Sequence, residues 1–182
     1  MLCSTAPIRW TSNLSVVELL LVRHADAGSK SEWDGDDSLR PLSAKGRDEA
    51  AAIVDILAQY EPIRIVSSPL VRCVQTVAPL SLQLGLAVEE MESLGPATGG
   101  AAVAFARELA AGRGPVVVCT HREIIEVLER RLVGRRKTAP QPKGSVWVIQ
   151  ASKGRFRSAD YLPPAGFAIR RQMGYTARSR VE

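Results

Sequence analysis

The sequence predicts an α/β domain built as a three-layer sandwich, with a mostly parallel central sheet flanked by helices. The first observation behind this prediction is a set of short apolar runs at residues 17–22, 63–66 and 116–119. Continuous apolar runs, rich in β-branched residues, are typical of parallel strands that are covered on both faces. The second observation is that a longer segment with the spacing of an amphipathic helix follows each run. This alternation favours strands connected through helices.

Four helices are predicted: 44–60, 71–84 and 122–132 follow the three runs, and 101–111 follows Gly99-Gly100. Ser43 stands just before the first helix, where a serine side chain can cap the free N–H groups. Within this helix the apolar residues recur at the spacing of one buried face: Ala50, Ile53, Val54 and Leu57. Each helix is therefore expected to pack an apolar face on the sheet.

The remaining segments complete the predicted architecture. A loop over residues 25–42 is rich in glycine, serine and aspartate, and we expect it to lie over the functional site. A short edge strand is predicted at 86–88. The runs 145–150 and 156–161 are separated by turn residues and predict a hairpin that closes the sheet.

The chain has only two histidines, His24 and His121, and each follows one of the apolar runs. Open α/β sheets bind ligands just beyond the carboxyl ends of their strands, so both imidazoles are predicted to share one cleft. Arg23 stands beside His24, and Arg72 follows the run 63–66. Arginine matches phosphoryl oxygens bidentately, and a neutral imidazole is a competent nucleophile near pH 7. Together these four side chains predict a phosphate site.

Three separated motifs resemble the histidine phosphatase superfamily, also called the phosphoglycerate mutase-like family: Arg23-His24-Ala25, the segment Ser-Ser-Pro-Leu-Val-Arg-Cys-Val-Gln-Thr at 67–76, and the late His121. Within the superfamily the chain is most similar to the short bacterial phosphohistidine phosphatases of the SixA type, through residues 22–26 and 37–46. It also resembles the phosphatase-like domain fused to some actinobacterial Nudix hydrolases, through residues 23–37 and 143–147. The resemblance covers residues 17–162.

The resemblance implies a phosphoglycerate mutase-like fold and a metal-independent phosphatase that acts through a phosphohistidine intermediate. It implies that His24 is the nucleophile, that Arg23 and Arg72 hold the phosphate, and that His121 completes the pocket. It implies no cofactor and no catalytic metal.

Two further residues are candidates for substrate binding. Arg40 precedes Pro41-Leu42-Ser43, and its place in the loop resembles that of an arginine near the phosphate pocket in the family. The alternative is that Arg40 is a solvated charge on the loop. Asp26, two residues after the predicted nucleophile, could act as an acid, position the turn that bears the histidine, or cap the loop.

Superfamily members that cleave phosphate esters usually supply a carboxylic acid after the third strand, because a departing alkoxide must be protonated. Here the matching position falls on Gly95 or Pro96, where no carboxylate stands. An imidazole leaving group is far less basic, so the missing acid favours phosphohistidine as substrate. Glu89, Glu90 and Glu92 could supply an acid if the alignment shifts by a few residues, or could form a solvated acidic loop.

Three functions therefore stay open at this point. The first is a phosphatase of phosphohistidine proteins, and the second is a phosphatase of small phosphomonoesters or nucleotides. The third is a catalytically silent regulator that binds a phosphorylated partner. The expected partner is a phosphorylated protein or a small phosphorylated substrate, not nucleic acid and not a membrane, and the oligomeric state stays open.

A chain of 182 residues suits one domain, predicted at 17–162 between an N-terminal leader, 1–16, and a basic C-terminal tail, 163–182. The net charge of +5 does not indicate nucleic-acid binding, because the tail carries four arginines against one glutamate. The three cysteines form neither a disulfide framework nor a metal-ligand spacing. We expect a cytoplasmic protein, since residues 1–16 do not resemble a secretory signal.

Overall fold

The computed structural model describes residues 16–134, 140–152 and 155–164. The predicted leader lies outside these residues except for Val16, and the predicted tail lies outside them except for Pro163 and Pro164.

Within the described residues, six strands form one mixed sheet in the order β3-β2-β4-β1-β5-β6. Their bounds are Val16–Arg23 for β1, Arg64–Ser67 for β2, Val88–Glu90 for β3, Val116–Thr120 for β4, Val146–Ser152 for β5 and Arg155–Leu162 for β6. Strands β1 to β4 pair in parallel, whereas β5 pairs antiparallel with both β1 and β6. The mostly parallel sheet and its closing hairpin confirm the prediction.

The helices are α1 (Ala44–Ala52), α2 (Val54–Ala58), α3 (Val71–Leu84), α4 (Gly99–Ala110) and α5 (Arg122–Leu128). The predicted helix 44–60 is therefore interrupted at Ile53, although this side chain stays buried. The predicted helix 122–132 changes to a π-helical turn over Glu129–Val133. No helix in the described ranges combines the length and the apolar character needed to cross a membrane.

The edge strand lies two residues later than predicted. The Leu86 N–H donates to the Ser81 carbonyl and Gly85 has a left-handed backbone, with φ of 65°. Leu86 therefore belongs to the end of α3, as in other helices that finish on a left-handed glycine. Pairing with β2 begins only at Val88, which is opposite Ile65.

Strand β1 shows how the layers are assembled, because its side chains alternate between the two faces of the sheet. Leu19 and Leu21 pack in an apolar cluster with residues of α4 and α5. Leu20 and Val22 pack in a second cluster with residues of α2 and α3. All four are fully buried, and each contributes roughly 1.5–3 kcal/mol through burial. The sheet therefore lies between two helical layers, as predicted.

The register of the parallel strands brings the predicted site together at one edge of the sheet. Arg23 is opposite Thr120, at the carboxyl ends of β1 and β4. The residue that follows each strand is a histidine, and the His24 N–H donates to the Thr120 carbonyl at 3.0 Å. Beside them, the Ser68 N–H donates to the Cys119 carbonyl at 2.9 Å. The ends of β1, β2 and β4 thus form one row.

Candidate active site

The two imidazoles lie side by side at this edge. The ring centroids of His24 and His121 are 5.3 Å apart, and the edge of one ring faces the other. Both side chains are buried. The structure therefore places both predicted histidines in one cleft.

His24 is held as a neutral ring with one free nitrogen. Its Nδ1 lies 2.8 Å from the Ala25 carbonyl oxygen, and a carbonyl only accepts, so Nδ1 carries the proton. Burial is the main cause that lowers the pKa of His24 to about 3; the hydrogen bond to Ala25 opposes this, and the charges of His121, Arg72 and Arg23 add to it. At neutral pH the Nε2 lone pair is therefore available to attack an electrophile.

His121 is oriented by two neighbours, Ser68 just after β2 and Cys73 on α3. Its Nε2 lies 3.1 Å from the Ser68 hydroxyl and 3.6 Å from the Cys73 sulfur. Cys73 and Cys119 are both fully buried, so the cysteines nearest the site belong to the core. The contact with Ser68 fixes the plane of the His121 ring against the end of β2.

The two predicted arginines lie near His24, and each has a hydrogen-bond donor without a partner among the described residues. Arg72 Nη1 donates to the Asp37 backbone carbonyl at 2.7 Å, and Arg23 Nη1 donates to the Gln141 backbone carbonyl. The Nε–H groups of both arginines are buried and have no hydrogen-bond partner among the described residues. A buried donor without a partner costs roughly 1–3 kcal/mol. An oxyanion would satisfy these donors, which makes this edge suitable for a phosphoryl group.

Arg40 is not a solvated loop charge. Its side chain is buried, its Nε donates to Asp37 Oδ1 at 2.8 Å, and its Nη1 donates to the Ala27 carbonyl at 2.6 Å. Arg40 thus reaches the site through Asp37, and its predicted role in substrate binding stays a prediction.

Asp26 is occupied by protein donors. Its Oδ2 accepts from Lys143 Nζ at 2.7 Å, and its Oδ1 accepts from the Ser43 hydroxyl at 2.8 Å and the Gly28 N–H at 2.9 Å. Partial burial opposes ionisation, but these hydrogen bonds outweigh it and hold the pKa of Asp26 well below its usual value. Of the roles considered, this geometry favours positioning the loop after His24.

The three glutamates considered as acids lie on the exposed side of the sheet edge. Glu89 accepts two hydrogen bonds from Arg64, at 2.7 and 3.0 Å, and both side chains are partly exposed. Glu90 and Glu92 are also exposed. The three side chains are therefore solvated as expected, but they do not form a loop, because Glu89 and Glu90 belong to strand β3 and Glu92 begins a 3-10 turn.

Comparison with known proteins finds one matching family model. The model described as "Histidine phosphatase superfamily (branch 1)" matches residues 19–102. Over these residues the chain is similar to the histidine phosphatase superfamily. The matched segment includes Arg23, His24, Arg40 and Arg72, whereas His121 lies beyond it.

One protein of similar sequence is the 8-oxo-(d)GTP phosphatase of Mycolicibacterium smegmatis, which is 35% identical to this chain over 154 residues. The match covers 80% of this chain and 48% of that protein, so the chain spans about half the length of this relative.

Two solved structures show the fold of the superfamily. The protein histidine phosphatase SixA in complex with tungstate is 24% identical, with a TM-score of 0.66 and coverage of 78% of this chain and 95% of that one. The phosphoglycerate mutase of Bacillus anthracis is 15% identical, with a TM-score of 0.69 and coverage of 83% and 94%. These likenesses confirm the phosphoglycerate mutase-like architecture.

Gln141 is a residue beside the site that the sequence analysis missed. It is buried, its backbone carbonyl accepts from Arg23, and its side-chain Oε1 accepts from Trp147 Nε1 at 2.7 Å. Its side-chain amide donates to Glu129 Oε2 at 3.0 Å. Gln141 thus anchors the carbonyl that orients Arg23. Because the two residues are 118 positions apart, no local pattern marks this contact.

Gly46 lets helix α1 approach the loop that bears the predicted nucleophile. A Cβ atom at Gly46 would lie 1.8 Å from the Asp26 carbonyl oxygen, a distance that only glycine avoids. The Ser43 N–H donates to the same carbonyl at 2.9 Å. The Ser-Ala-Lys-Gly segment at 43–46 is therefore the local signal for this close contact, which holds the backbone just after His24.

Proposed function

We propose that this protein is a metal-independent phosphatase that acts through a phosphohistidine intermediate on His24, with phosphohistidine proteins as preferred substrates. One observation carries the proposal: His24 is neutral with its Nε2 free, and the two arginines whose charges act on this ring, Arg23 and Arg72, have buried Nε–H groups with no partner among the described residues. A nucleophile beside unsatisfied cationic donors is what phosphoryl transfer requires.

The proposed reaction has two displacements. His24 Nε2 attacks phosphorus while the bond to the leaving group breaks, and the electron pair of that bond departs with the leaving group. Arg23 and Arg72 stabilise the charge on the equatorial oxygens. Water then attacks phosphorus and loses a proton to the solvent, the electron pair of the Nε2–P bond returns to His24, and inorganic phosphate and neutral His24 are released.

The carboxylates near the site support a phosphohistidine substrate. Asp26 is ionised and fully engaged with Lys143, Ser43 and Gly28, so it has no proton to donate. A phosphohistidine ring that carries a proton on its other nitrogen departs as neutral imidazole. Its P–N bond therefore breaks without an acid from the enzyme, which an alkoxide leaving group would need.

A second candidate function is hydrolysis of small phosphomonoesters or nucleotides. It is favoured by the relative from M. smegmatis, whose name states that it acts on 8-oxo-(d)GTP and whose match covers 80% of this chain. The histidines and arginines of the site would serve this chemistry equally well, and the difference would lie in the leaving group.

The test compares phosphate release from a phosphohistidine-bearing protein with release from a panel of sugar phosphates and nucleotides. Wild type is measured beside His24→Ala and beside Arg113→Ala, a matched control at an exposed surface arginine. We expect preference for phosphohistidine, loss of turnover in His24→Ala with an unchanged circular dichroism spectrum, and an unaffected control.

A second measurement follows the covalent step. Rapid acid-free quenching during turnover should show an acid-labile phosphoryl group on wild type and none on His24→Ala. Preference for esters or nucleotides would favour the second candidate function, hydrolysis of small phosphomonoesters or nucleotides. Absence of release from every substrate would favour the phosphate-binding regulator, and full activity in His24→Ala would contradict the covalent mechanism.

A further inference from the structure

The loop between β1 and α1 brings a carboxylate to the phosphate-binding edge. A short 3-10 turn over Asp37–Leu39 places Asp37 against Arg72, which is buried. Arg72 Nη2 lies 3.3 Å from Asp37 Oδ2, and Arg72 Nη1 donates to the Asp37 backbone carbonyl at 2.7 Å. Two of the three nitrogens of this guanidinium therefore face one loop residue.

The Asp37 carboxylate is charged in this position. Partial burial opposes its ionisation, but the hydrogen bond from Arg40 and the charges of Arg72, Arg40 and Lys30 outweigh it and lower the pKa of Asp37. A carboxylate and a phosphoryl group are both oxyanions that the same guanidinium fork accepts. Asp37 thus occupies part of the surface that a substrate would use.

We propose that Asp37 is a specificity-determining residue that sets the anion affinity of the site, because its carboxylate competes with the phosphoryl group for Arg72. This inference rests on the proposed function of the same site. If the carboxylate leaves when the phosphoryl group binds, the ion pair with Arg72 is lost. If it stays, two anions share one guanidinium and repel each other. Both cases weaken the binding of free anions.

The consequence is selection of substrates that bring binding contacts of their own. A bare phosphate ion must overcome the Asp37 contact with its own charge alone. A phosphorylated macromolecule adds contacts outside the phosphoryl group, and this binding free energy can offset the competition. Asp37 therefore favours such a substrate over the phosphate ion that the reaction releases.

The variant Asp37→Asn removes the charge and keeps the local geometry. The 3-10 turn is capped by Asp36, whose carboxylate accepts from the Ser38 N–H at 2.8 Å, so the turn does not depend on the Asp37 side chain. The backbone carbonyl at position 37 still holds Arg72, and Arg40 keeps its contact with the Ala27 carbonyl.

The experiment measures binding of orthophosphate and of vanadate by isothermal titration calorimetry at fixed pH and ionic strength. Wild type is compared with Asp37→Asn, with Asp37→Ser as a second neutral variant, and with Asp34→Asn as the control. Asp34 lies on the same loop, is exposed, and makes no hydrogen bond or ion pair within the described part of the chain. Thermal unfolding of each variant verifies that it is folded.

We expect both neutral variants at position 37 to bind the anions about fivefold more tightly than wild type, a factor that corresponds to ~1 kcal/mol. The Asp34→Asn control should bind like wild type. Equal binding at position 37 would overturn the inference, and weaker binding would overturn it too, since Asp37 would then position Arg72 for the anion.

The outcomes also separate this inference from the proposed function. A wild type that binds phosphate but releases it from no substrate would refute the phosphatase and leave the role of Asp37 to be decided by the variants. If neither wild type nor the variants bind either anion, the inference about Asp37 is wrong, whereas the proposed function is decided separately by phosphate release from the substrates.

Discussion

The neutral state of His24 makes the stability of the fold depend on pH in a predictable direction. Its pKa is lowered to about 3 in the folded protein from an ordinary value of 6.5. Between these two values the unfolded chain binds a proton on this ring and the folded chain does not. Stability contributed by His24 is therefore fully present above pH 6.5 and is lost as the pH falls toward 3.

The magnitude follows from the size of the pKa shift. Each pKa unit corresponds to about 1.36 kcal/mol, so the whole shift is on the order of 5 kcal/mol. Because the His24 residue is only 8% exposed, solvent screening reduces this figure little. Between pH 6.5 and pH 5.0, the part of the window that avoids acid denaturation, the expected loss is roughly 2 kcal/mol.

The assay is urea unfolding of wild type and of His24→Gln at pH 7.5 and pH 5.0, in buffers without phosphate, since phosphate bound to the native state would add stability. Carboxylates titrate alike in both proteins, so their effect cancels in the difference. Wild type should lose roughly 2 kcal/mol more than His24→Gln between the two values of pH. Equal losses would show that the His24 ring is not held neutral, and the argument for its nucleophilicity would fail with it.

Three further predictions test the rest of the site. Arg72→Lys keeps the charge but loses the planar fork, so kcat/KM should fall roughly 100-fold, or ~3 kcal/mol; near wild-type kinetics would contradict phosphate binding by Arg72. Gln141→Met removes the side-chain hydrogen bonds that anchor the carbonyl facing Arg23 and should raise KM about tenfold. This effect should largely disappear in the background of Arg23→Met, and additive effects in that double-mutant cycle would indicate a purely structural role. Chelating agents should leave phosphate release unchanged, and a loss that added metal restores would contradict the metal-independent mechanism.

Much of the fold and the placement of the histidines could be predicted from local sequence patterns. Buried parallel strands must be apolar along their whole length, and their carboxyl ends meet at one edge of a sheet. The position of His24 and His121 directly after two such strands therefore predicts that they meet. Arg23 and Arg72 follow by the same reasoning, and the structure brings all four to that edge.

Features that depend on small differences between competing local structures were not predictable. The helix expected at 44–60 is interrupted at Ile53, and the edge strand begins at Val88 rather than two residues earlier. The apolar spacing is the same for an interrupted and a continuous helix. The start of β3 is decided by its pairing with β2, which is a contact between separate segments.

The sequence by itself determined the class of the fold and the chemical character of the site, because periodic burial and residue type are local properties. Only the tertiary structure decided which partner each charged group has. Asp37 lies 35 residues from Arg72, and Gln141 lies still further from Arg23. The neutral state of the His24 ring is likewise a result of burial, and burial depends on the packing of many residues around the ring. Contacts between distant segments and the exclusion of water exist only after the chain has packed.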